Sequence, residues 1–276
     1  MTRTTEVRLL TFNALMRGDV RARLRALGTV LEQSSYDVVC LQEVLLGRHA
    51  ALVRRLARHY GHHAWSGSLL LEGGLVLLSR WPIRTARFVR YPRTGPPRPE
   101  YLMRKGVQLA VLETPAGPLA IANTHLSANR DGDWSPANRY TRVARAELDH
   151  LAGELARLDP ALPVVAVGDF NVPRNAAALT GFLARTGLTD VLAGDTAPTY
   201  RPTPRWPAPP AFDHVLIRPA PQRELCAEAQ IVLRDAVTLP GGRQGYLSDH
   251  YGVEAVLTLA VLDPPPHGAE FGGRRC

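Results

Sequence analysis

Short apolar segments that end in polar residues recur along the chain, and they predict buried β-strands. The first covers residues 7–15, and residues 37–43 are apolar until the segment ends at Glu43, which is typical of a strand buried on both faces. Further strands are predicted at 75–79, 83–91, 106–113, 118–125, 163–171, 213–218, 230–233 and 251–259.

Apolar residues at helical spacing predict three helices among these strands. Asp19 is expected to cap a helix whose apolar positions recur between Val20 and Leu31. A second helix is predicted near 48–58. The third, 138–158, has the clearest pattern, because its leucines recur at steps of three and four residues.

Helices that bracket two groups of strands predict an α/β fold, a four-layer α/β/β/α sandwich of two packed mixed sheets with helices outside. We expect one domain at 1–262 and a loose C-terminal tail at 263–276. Two segments rich in Pro and Arg, 91–100 and 196–210, are predicted to be ordered loops, since strands of similar character lie on either side.

The chain of 276 residues carries a formal net charge of +8, which favours anionic partners such as nucleic acid, phosphate esters or acidic lipid. Lys105 is the only lysine, so the other 32 of the 33 basic residues are arginines. Because these arginines are spread over most of the chain, compositional drift explains the charge better than a dedicated polyanion-binding face does.

The cytoplasm is the expected location. The first residues lack the apolar core of a secretory signal, and no apolar run approaches the roughly 20 residues that span a bilayer. The three cysteines form an odd, scattered set without metal-type pairing, which suits a reducing compartment. Nothing in the sequence indicates an obligate protein partner.

Polar residues that can bind metal or phosphate stand at the ends of otherwise apolar strands. They are Asn13, Glu43, His125, Asp169, Asn171, Asp213, Asp249 and His250. Loops gather above strand ends in α/β folds, so a ligand site is expected there. Carboxylates and carboxamides without cysteine favour Mg²⁺ or Mn²⁺ over structural zinc, and histidines beside carboxylates suit acid–base chemistry near neutral pH.

These motifs, in this order, resemble the endonuclease/exonuclease/phosphatase superfamily, which has the deoxyribonuclease-I-like fold. The resemblance runs from about residue 7 to residue 259 and rests on Asn13, Gln42-Glu43, Thr124-His125-Leu126, Gly168-Asp169-Phe170-Asn171, Asp213 and Ser248-Asp249-His250. The segments 73–83, 104–107 and 123–126 are most similar to the sphingomyelinase-like branch. The chain departs from that pattern at His214, where relatives commonly have Tyr.

The resemblance implies roles for these residues. Glu43 would be the principal Mg²⁺ ligand, with Asn13 and Asp249 near the ion or holding its waters, and Mn²⁺ could substitute. His250, oriented by Asp213, would take a proton from the attacking water.

The same resemblance implies that His125 and Asn171 would donate hydrogen bonds to the phosphoryl oxygens. Asp169 would position the nucleophile or assist the leaving oxygen. Together these roles describe metal-assisted, in-line attack of water on a phosphodiester.

The sequence leaves the substrate open. A sphingomyelinase-like lipid phosphodiesterase, acting at a membrane lipid surface, is favoured by the motifs, and a nuclease acting on DNA or RNA by the net charge. A phosphomonoesterase and a catalytically inactive binding scaffold are weaker alternatives. The function of Lys105 also stays open.

Several further residues are interpreted as having no catalytic role. Arg139, Arg142 and Arg145 recur at steps of three, as on a solvated helix face, and His49, His62 and His63 are expected at the surface. Trp206 and Tyr101 could equally floor a substrate groove or cover a sheet edge.

Overall fold

The computed structural model describes residues 4–67 and 72–261, and statements about its elements refer to those residues. The strands form two six-stranded sheets and one small two-stranded pair. The two large sheets pack face to face, and helices cover the outer face of each. The predicted four-layer α/β/β/α architecture is therefore confirmed.

The elements run in the following order along the chain. The strands are β1 (Thr4–Asn13), β2 (Val38–Gln42), β3 (His62–Trp65), β4 (Val76–Ser79), β5 (Ile83–Arg90), β6 (Gly106–Thr114), β7 (Gly117–His125), β8 (Val164–Asp169), β9 (Thr189–Asp190), β10 (Asp213–Arg218), β11 (Arg223–Val232), β12 (Val237–Thr238), β13 (Gln244–Gly245) and β14 (Gly252–Val261). The helices are α1 (Val20–Gln33), α2 (Gly47–Leu56), α3 (Arg139–Ala156) and α4 (Ala177–Thr186), with a 3-10 turn at Pro99–Leu102.

Each large sheet contains one parallel strand pair. The first sheet has the order β11-β14-β1-β2-β4-β3 and the second β5-β6-β7-β8-β10-β9. The parallel pairs are β1 with β2, connected through α1, and β7 with β8, connected through α3. Parallel strands end at the same edge, so Asn13 lies beside Gln42, and His125 beside Asp169. Asp213 begins β10 directly opposite Asp169.

Apolar side chains fill three layers between these elements. The central layer lies between the sheets and includes Leu9 and Val167. Leu27 of α1 and Val53 of α2 pack on the first sheet, and Leu151 of α3 packs on the second. The apolar periodicity that predicts α1 and α3 therefore corresponds to the buried face of each helix. Asp19 caps α1 as expected, because its side chain accepts a hydrogen bond from the Ala22 N–H.

A group of buried amides connects the two sheets close to the strand ends. The Gln42 Nε2 donates to the Asn123 Oδ1 at 2.8 Å, and both side chains are fully buried. The Asn123 Nδ2 donates in turn to the carbonyl oxygens of Leu41 and Val76 at 3.3 and 3.2 Å. Because buried amides need partners, these contacts fix how the sheets are aligned at that edge.

Several elements differ from the prediction. Helix α4 and strand β3 were not expected, and β11 begins at Arg223 rather than at 230. In α4 only Leu179, Phe182 and Thr186 are buried, so its apolar pattern is weak. The long β11 lies at the edge of the first sheet, and its residues are mostly half-buried or exposed. Its sequence therefore shows little of the alternation of apolar and polar residues that predicts a strand.

Two of the three histidines expected at the surface need correction. His49 lies in α2 and is buried, because it sits on the face of α2 that contains the buried Leu52 and Val53. His62 is half-buried in β3, where it is paired with Ser79 of β4, whereas His63 is exposed in the same strand. A four-residue edge strand with a His-His-Ala-Trp sequence carries almost no strand signal.

The expected loose tail at 263–276 lies outside the described residues, and the domain boundary at 262 stays a prediction. None of the helices in the described ranges has the length and apolar character needed to span a bilayer. The cytoplasmic location also stays a prediction.

Replacement of Gly168 by alanine is expected to destabilise the protein by about 3 kcal/mol. Gly168 has a φ of +135°, and a Cβ there would lie 1.9 Å from the Thr124 carbonyl oxygen on the neighbouring strand. Chemical denaturation measures the loss. The matched control is Gly153→Ala on the exposed face of α3, where a Cβ meets no atom within 4 Å and should stabilise by up to about 1 kcal/mol. Equal stability of the two variants would contradict this account of Gly168.

Candidate active site

The strand-end residues predicted from the sequence meet around one cavity of about 240 Å³. Its walls include Glu43, His125, Asp169, Asn171, Asp249 and His250. The two remaining predicted residues contact these walls: Asn13 is hydrogen-bonded to Glu43 and Asp169, and Asp213 to His250. The structure thus brings all eight together, from positions as far apart in the chain as 13 and 250.

His250 and Asp213 form a buried pair on one side of the cavity. The His250 Nδ1 lies 2.9 Å from the Asp213 Oδ2, and its Nε2 lies 3.6 Å from the Asp169 Oδ2. The Asp213 backbone N–H donates to the Thr199 hydroxyl, and the Tyr200 ring meets the imidazole edge-on at 5.0 Å. With Nδ1 held by Asp213, Nε2 is the ring nitrogen left for chemistry.

The charges of this group perturb its members strongly. Burial opposes a charged imidazole, but the carboxylates of Asp213 and Asp169 outweigh it and raise the pKa of His250 to about 10. Burial likewise opposes the Asp169 carboxylate, whereas His250, His125 and Lys105 hold its pKa well below its usual range. Asp169 is therefore an ionised carboxylate in a fully buried position.

Glu43 also lines the cavity and lies directly after β2. Its Oε2 accepts from the Met16 backbone N–H at 2.8 Å, and its Oε1 accepts from the Asn13 Nδ2 at 3.3 Å. Burial opposes its ionisation, but His125 and the Met16 hydrogen bond keep the pKa of Glu43 below its ordinary value. Glu43 has a φ of +63°, a conformation that is costly for a non-glycine residue and often occurs at functional sites.

Asn13 joins the two sides of the site. Its Nδ2 donates to the Asp169 Oδ2 at 3.0 Å as well as to Glu43, and its Oδ1 accepts from the Leu15 backbone N–H at 3.0 Å. The reverse orientation of the amide would place its oxygen next to two carboxylates, where it could not donate a hydrogen bond. Asn13 therefore presents its nitrogen to the acidic residues and orients both of them.

Glu43 and Asp249 are the cavity residues whose donors best fit a hard cation. The Asp249 Oδ2 accepts from the Tyr200 hydroxyl at 3.1 Å, and its Oδ1 from the Ser248 hydroxyl at 3.3 Å. Both carboxylates line the cavity and keep lone pairs beyond these hydrogen bonds. An all-oxygen donor set of this kind suits Mg²⁺ or Mn²⁺.

A second group within the described residues is also close enough to hold an ion. Ligand atoms of Asp169, Asp213 and His250 all lie within 4.8 Å of one another. In this group, however, the His250 Nδ1 and the Asp213 Oδ2 already bind each other at 2.9 Å, so an ion there would have to compete with that hydrogen bond. The chemistry of this group therefore suits proton transfer better than metal binding.

Lys105 supplies a buried positive charge whose function the sequence leaves open. Its Nζ lies 2.8 Å from the His125 Nε2 and donates to the Leu126 carbonyl oxygen at 2.8 Å. Lys105 also pairs with Glu100 at 3.3 Å.

Asp169 and Asn171 form the Asx turn that their spacing indicates. The Asn171 backbone N–H donates to the Asp169 Oδ1 at 2.9 Å, and the Asn171 side-chain nitrogen donates to the Leu126 carbonyl oxygen at 3.0 Å. Asn171 has a φ of +51°, which turns the chain sharply at the cavity wall.

Sequence reasoning missed two residues that shape the cavity. Arg23 of α1 is buried, and its Nη2 donates to the carbonyl oxygens of Leu15 and Arg17 at 2.6 and 2.5 Å, which holds the loop that contacts Glu43. Tyr200 holds Asp249. The sequence around these residues does not indicate a role in the site. Arg23 resembles any other arginine in a helix, and Tyr200 lies in a Pro-rich loop.

The remaining candidates do not line the cavity. Arg139, Arg142 and Arg145 are exposed on α3, as a solvated face would be. Trp206 lies in an aromatic cluster, 5.5 Å from Tyr200.

The family comparison agrees with this geometry. The sequence model of the Endonuclease/Exonuclease/phosphatase family matches residues 10–250. The chain is 29% identical over 180 residues to an inositol phosphosphingolipids phospholipase C of Schizosaccharomyces pombe, covering 60% of this chain and 41% of that protein. It is 25% identical over 281 residues to a putative neutral sphingomyelinase of Drosophila melanogaster, covering 94% and 62%. The chain thus spans less than two thirds of either relative.

Solved structures share the fold. A beta toxin variant from Staphylococcus aureus with bound magnesium ions superposes with a TM-score of 0.71 at 16% identity, covering 91% of this chain and 99% of that one. TDP2 from D. rerio, in complex with a single-strand DNA product, superposes with a TM-score of 0.70 at 17% identity, covering 92% and 99%. The superfamily and the sphingomyelinase-like resemblance predicted from the sequence are confirmed.

His214, which follows Asp213 in β10, is a buried neutral histidine. Its Nε2 lies 2.8 Å from the Val172 carbonyl oxygen, and its ring packs against Phe170 at 5.3 Å. Burial lowers the pKa of His214 to about 4, despite the nearby Asp190. The imidazole therefore serves packing in the second sheet.

The buried His214 is expected to make the protein sensitive to acid. The folded state binds its proton near pH 4 and the unfolded state near 6.5, so stability present above pH 6.5 falls as the pH drops toward 4. The loss at pH 5 is about 2 kcal/mol relative to pH 7. Denaturation of the wild type and His214→Gln at both pH values measures it, and an identical pH dependence of the two proteins would refute the prediction.

Proposed function

The chain belongs to the Endonuclease/Exonuclease/phosphatase family, and from that membership and the geometry of the cavity we propose that it is a Mg²⁺-dependent phosphodiesterase. The observation that carries the proposal is that one cavity is lined both by Glu43 and by His250, whose Nδ1 is held by Asp213. A base, an ion site and hydrogen-bond donors around one space are what phosphoryl displacement requires.

Glu43 and Asp249 would hold the ion, with Asn13 orienting the Glu43 carboxylate. A divalent cation bound there would polarise a phosphoryl oxygen and would offset part of the negative charge that raises the pKa of His250. The Met16 N–H and the Asn13 amide already fix the rotamer of Glu43, so little side-chain ordering would remain for binding.

His250 would accept the proton of the attacking water at Nε2. Asp213 holds Nδ1 and stabilises the imidazolium that forms. Asp169 lies 3.6 Å from the His250 Nε2 and 3.4 Å from the His125 Nε2, so its carboxylate can orient the water or a proton donor to the leaving oxygen.

Lys105, His125 and Asn171 would stabilise the negative charge that develops on the phosphoryl oxygens. Lys105 adds a full positive charge to the side of the cavity where the resemblance implies neutral donors only. Each such donor in a preorganised site contributes about 3 kcal/mol to lowering the barrier.

A sphingolipid-type phosphodiester is the substrate that the curated relatives favour, since one is named for phosphosphingolipids and the other as a putative sphingomyelinase. The second candidate is a nuclease. It is supported by the net charge of +8 and by the DNA product bound to a protein of the same fold.

Hydrolysis should require a divalent cation and should discriminate between these substrates. We expect turnover of bis(p-nitrophenyl) phosphate with Mg²⁺ or Mn²⁺ and its loss with chelator, restored by adding metal back. Sphingomyelin micelles and plasmid DNA, assayed in parallel, distinguish the two readings: release of choline phosphate without nicking of DNA supports the lipid enzyme, and the reverse supports the nuclease. Full activity in chelator would contradict the metal requirement.

Replacement of Glu43 by glutamine or His250 by alanine should lower kcat for the same substrate by about 10³-fold, the scale of a lost base or charge stabiliser. The matched controls are Glu224→Gln and His59→Ala, which change exposed residues outside the cavity wall. Thermal unfolding of each variant checks that the fold persists. Wild-type kcat in folded Glu43→Gln or His250→Ala would remove the proposed mechanism.

A further inference from the structure

A second cavity adjoins the candidate active site and is strongly basic. It has a volume of about 200 Å³ and lies in the connection from β5 to β6, residues 91–105. Its walls include five cationic side chains: Arg90, Arg93, Arg98, Arg104 and Lys105. Only two acidic residues line it, Glu100 and Glu147.

Three of the five cations already have partners. Arg90 is ion-paired with Glu72, and Lys105 with Glu100. Arg98 is buried, and its guanidinium donates to the Ser127 hydroxyl at 2.9 Å and lies 3.7 Å from Glu147. In each pair the two charges neutralise one another.

Arg93 and Arg104 have no hydrogen-bond or ion-pair partner within the described residues. Both residues line the cavity, Arg93 exposed and Arg104 half-buried, so the cavity wall includes two arginines without a partner among the described residues. Unpaired arginines are common on an open surface. Here two of them line a cavity whose other cationic residues are ion-paired, so the cavity has an excess of positive charge.

The backbone at Arg104 supports a binding role. Its φ is +48°, the left-handed region in which glycine is favoured. An arginine there carries a conformational cost that glycine or asparagine would avoid, and strained non-glycine residues cluster at ligand sites.

The two cavities share a wall. Glu100 and Lys105 line both of them, and the Lys105 Nζ lies 2.8 Å from the His125 Nε2 in the candidate active site. A group bound beside Arg93 and Arg104 would therefore occupy a cavity that adjoins the candidate active site.

We propose that this second cavity is an anion subsite, in which Arg93 and Arg104 bind a second phosphate carried by the substrate near the scissile phosphodiester. The inference rests on the proposed function and narrows its substrate class to phosphodiesters with an additional phosphate group. The planar guanidinium matches phosphate oxygens in pairs, which suits two arginines to this group better than to a carboxamide or hydroxyl.

Two matched pairs of substrates test the subsite. Thymidylyl-thymidine is compared with its terminally phosphorylated form, and glycerophosphoinositol with glycerophosphoinositol 4-phosphate. Within each pair the scissile diester is the same, and only the second phosphate differs. The first pair represents a nucleic acid source of that phosphate and the second a lipid headgroup.

We expect the phosphorylated member of at least one pair to have a kcat/KM at least tenfold higher. Arg93→Gln and Arg104→Gln should each reduce that ratio by about tenfold, on the scale of one charge-assisted hydrogen bond. The control Arg25→Gln removes the same charge from an exposed position of α1 and should leave the ratio unchanged.

Equilibrium binding in chelator separates this inference from the proposed function. Calorimetry should show the phosphorylated member of the preferred pair binding at least tenfold more tightly than its partner, and the Arg93→Gln/Arg104→Gln double variant should lose the difference. Absence of hydrolysis with every substrate would defeat the proposed function alone. Equal binding of both members of both pairs, or a preference that survives the double variant, would overturn the subsite.

Discussion

The site depends on the alignment of two sheets at the edge where their parallel strand pairs end. Asn13 reaches from β1 to the Asp169 carboxylate of β8 at 3.0 Å, and Gln42 reaches from β2 to Asn123 of β7 at 2.8 Å. These are buried hydrogen bonds between sheets, so a shift of either sheet would leave polar groups unpaired at a cost of about 1–3 kcal/mol each. Apolar packing holds the layers together, but these amides decide which strand ends meet.

The same alignment brings opposite charges together at one cavity. Glu43 and Asp249 line it, and His250 lies 2.9 Å from Asp213 and 3.6 Å from Asp169. Buried carboxylates are stable only with partners, and each one here has a hydrogen bond or an ion pair. The fold therefore fixes the positions of these charges before any ligand binds.

A structural feature can be predicted from the sequence where the polarity of single residues depends directly on whether they are buried or exposed. Leucine spacing predicts α3, and the polar residues that end apolar strands predict the site. The Lys105–His125 contact could not be predicted, because it depends on the pairing of β6 with β7. Arg23 and Tyr200 act through tertiary contacts with a loop and with Asp249, and β3 forms only because β4 offers it an edge.

The most direct test of this account is the position of the cation. Anomalous diffraction from crystals containing Mn²⁺ would locate the ion without reference to activity. We predict a peak with carboxylate oxygens of Glu43 and Asp249 at about 2 Å, the range of hard-cation ligands, and with the Asp213–His250 hydrogen bond intact. A peak bound instead by Asp169, Asp213 and the His250 imidazole would contradict the division between ion site and base on which the mechanism rests.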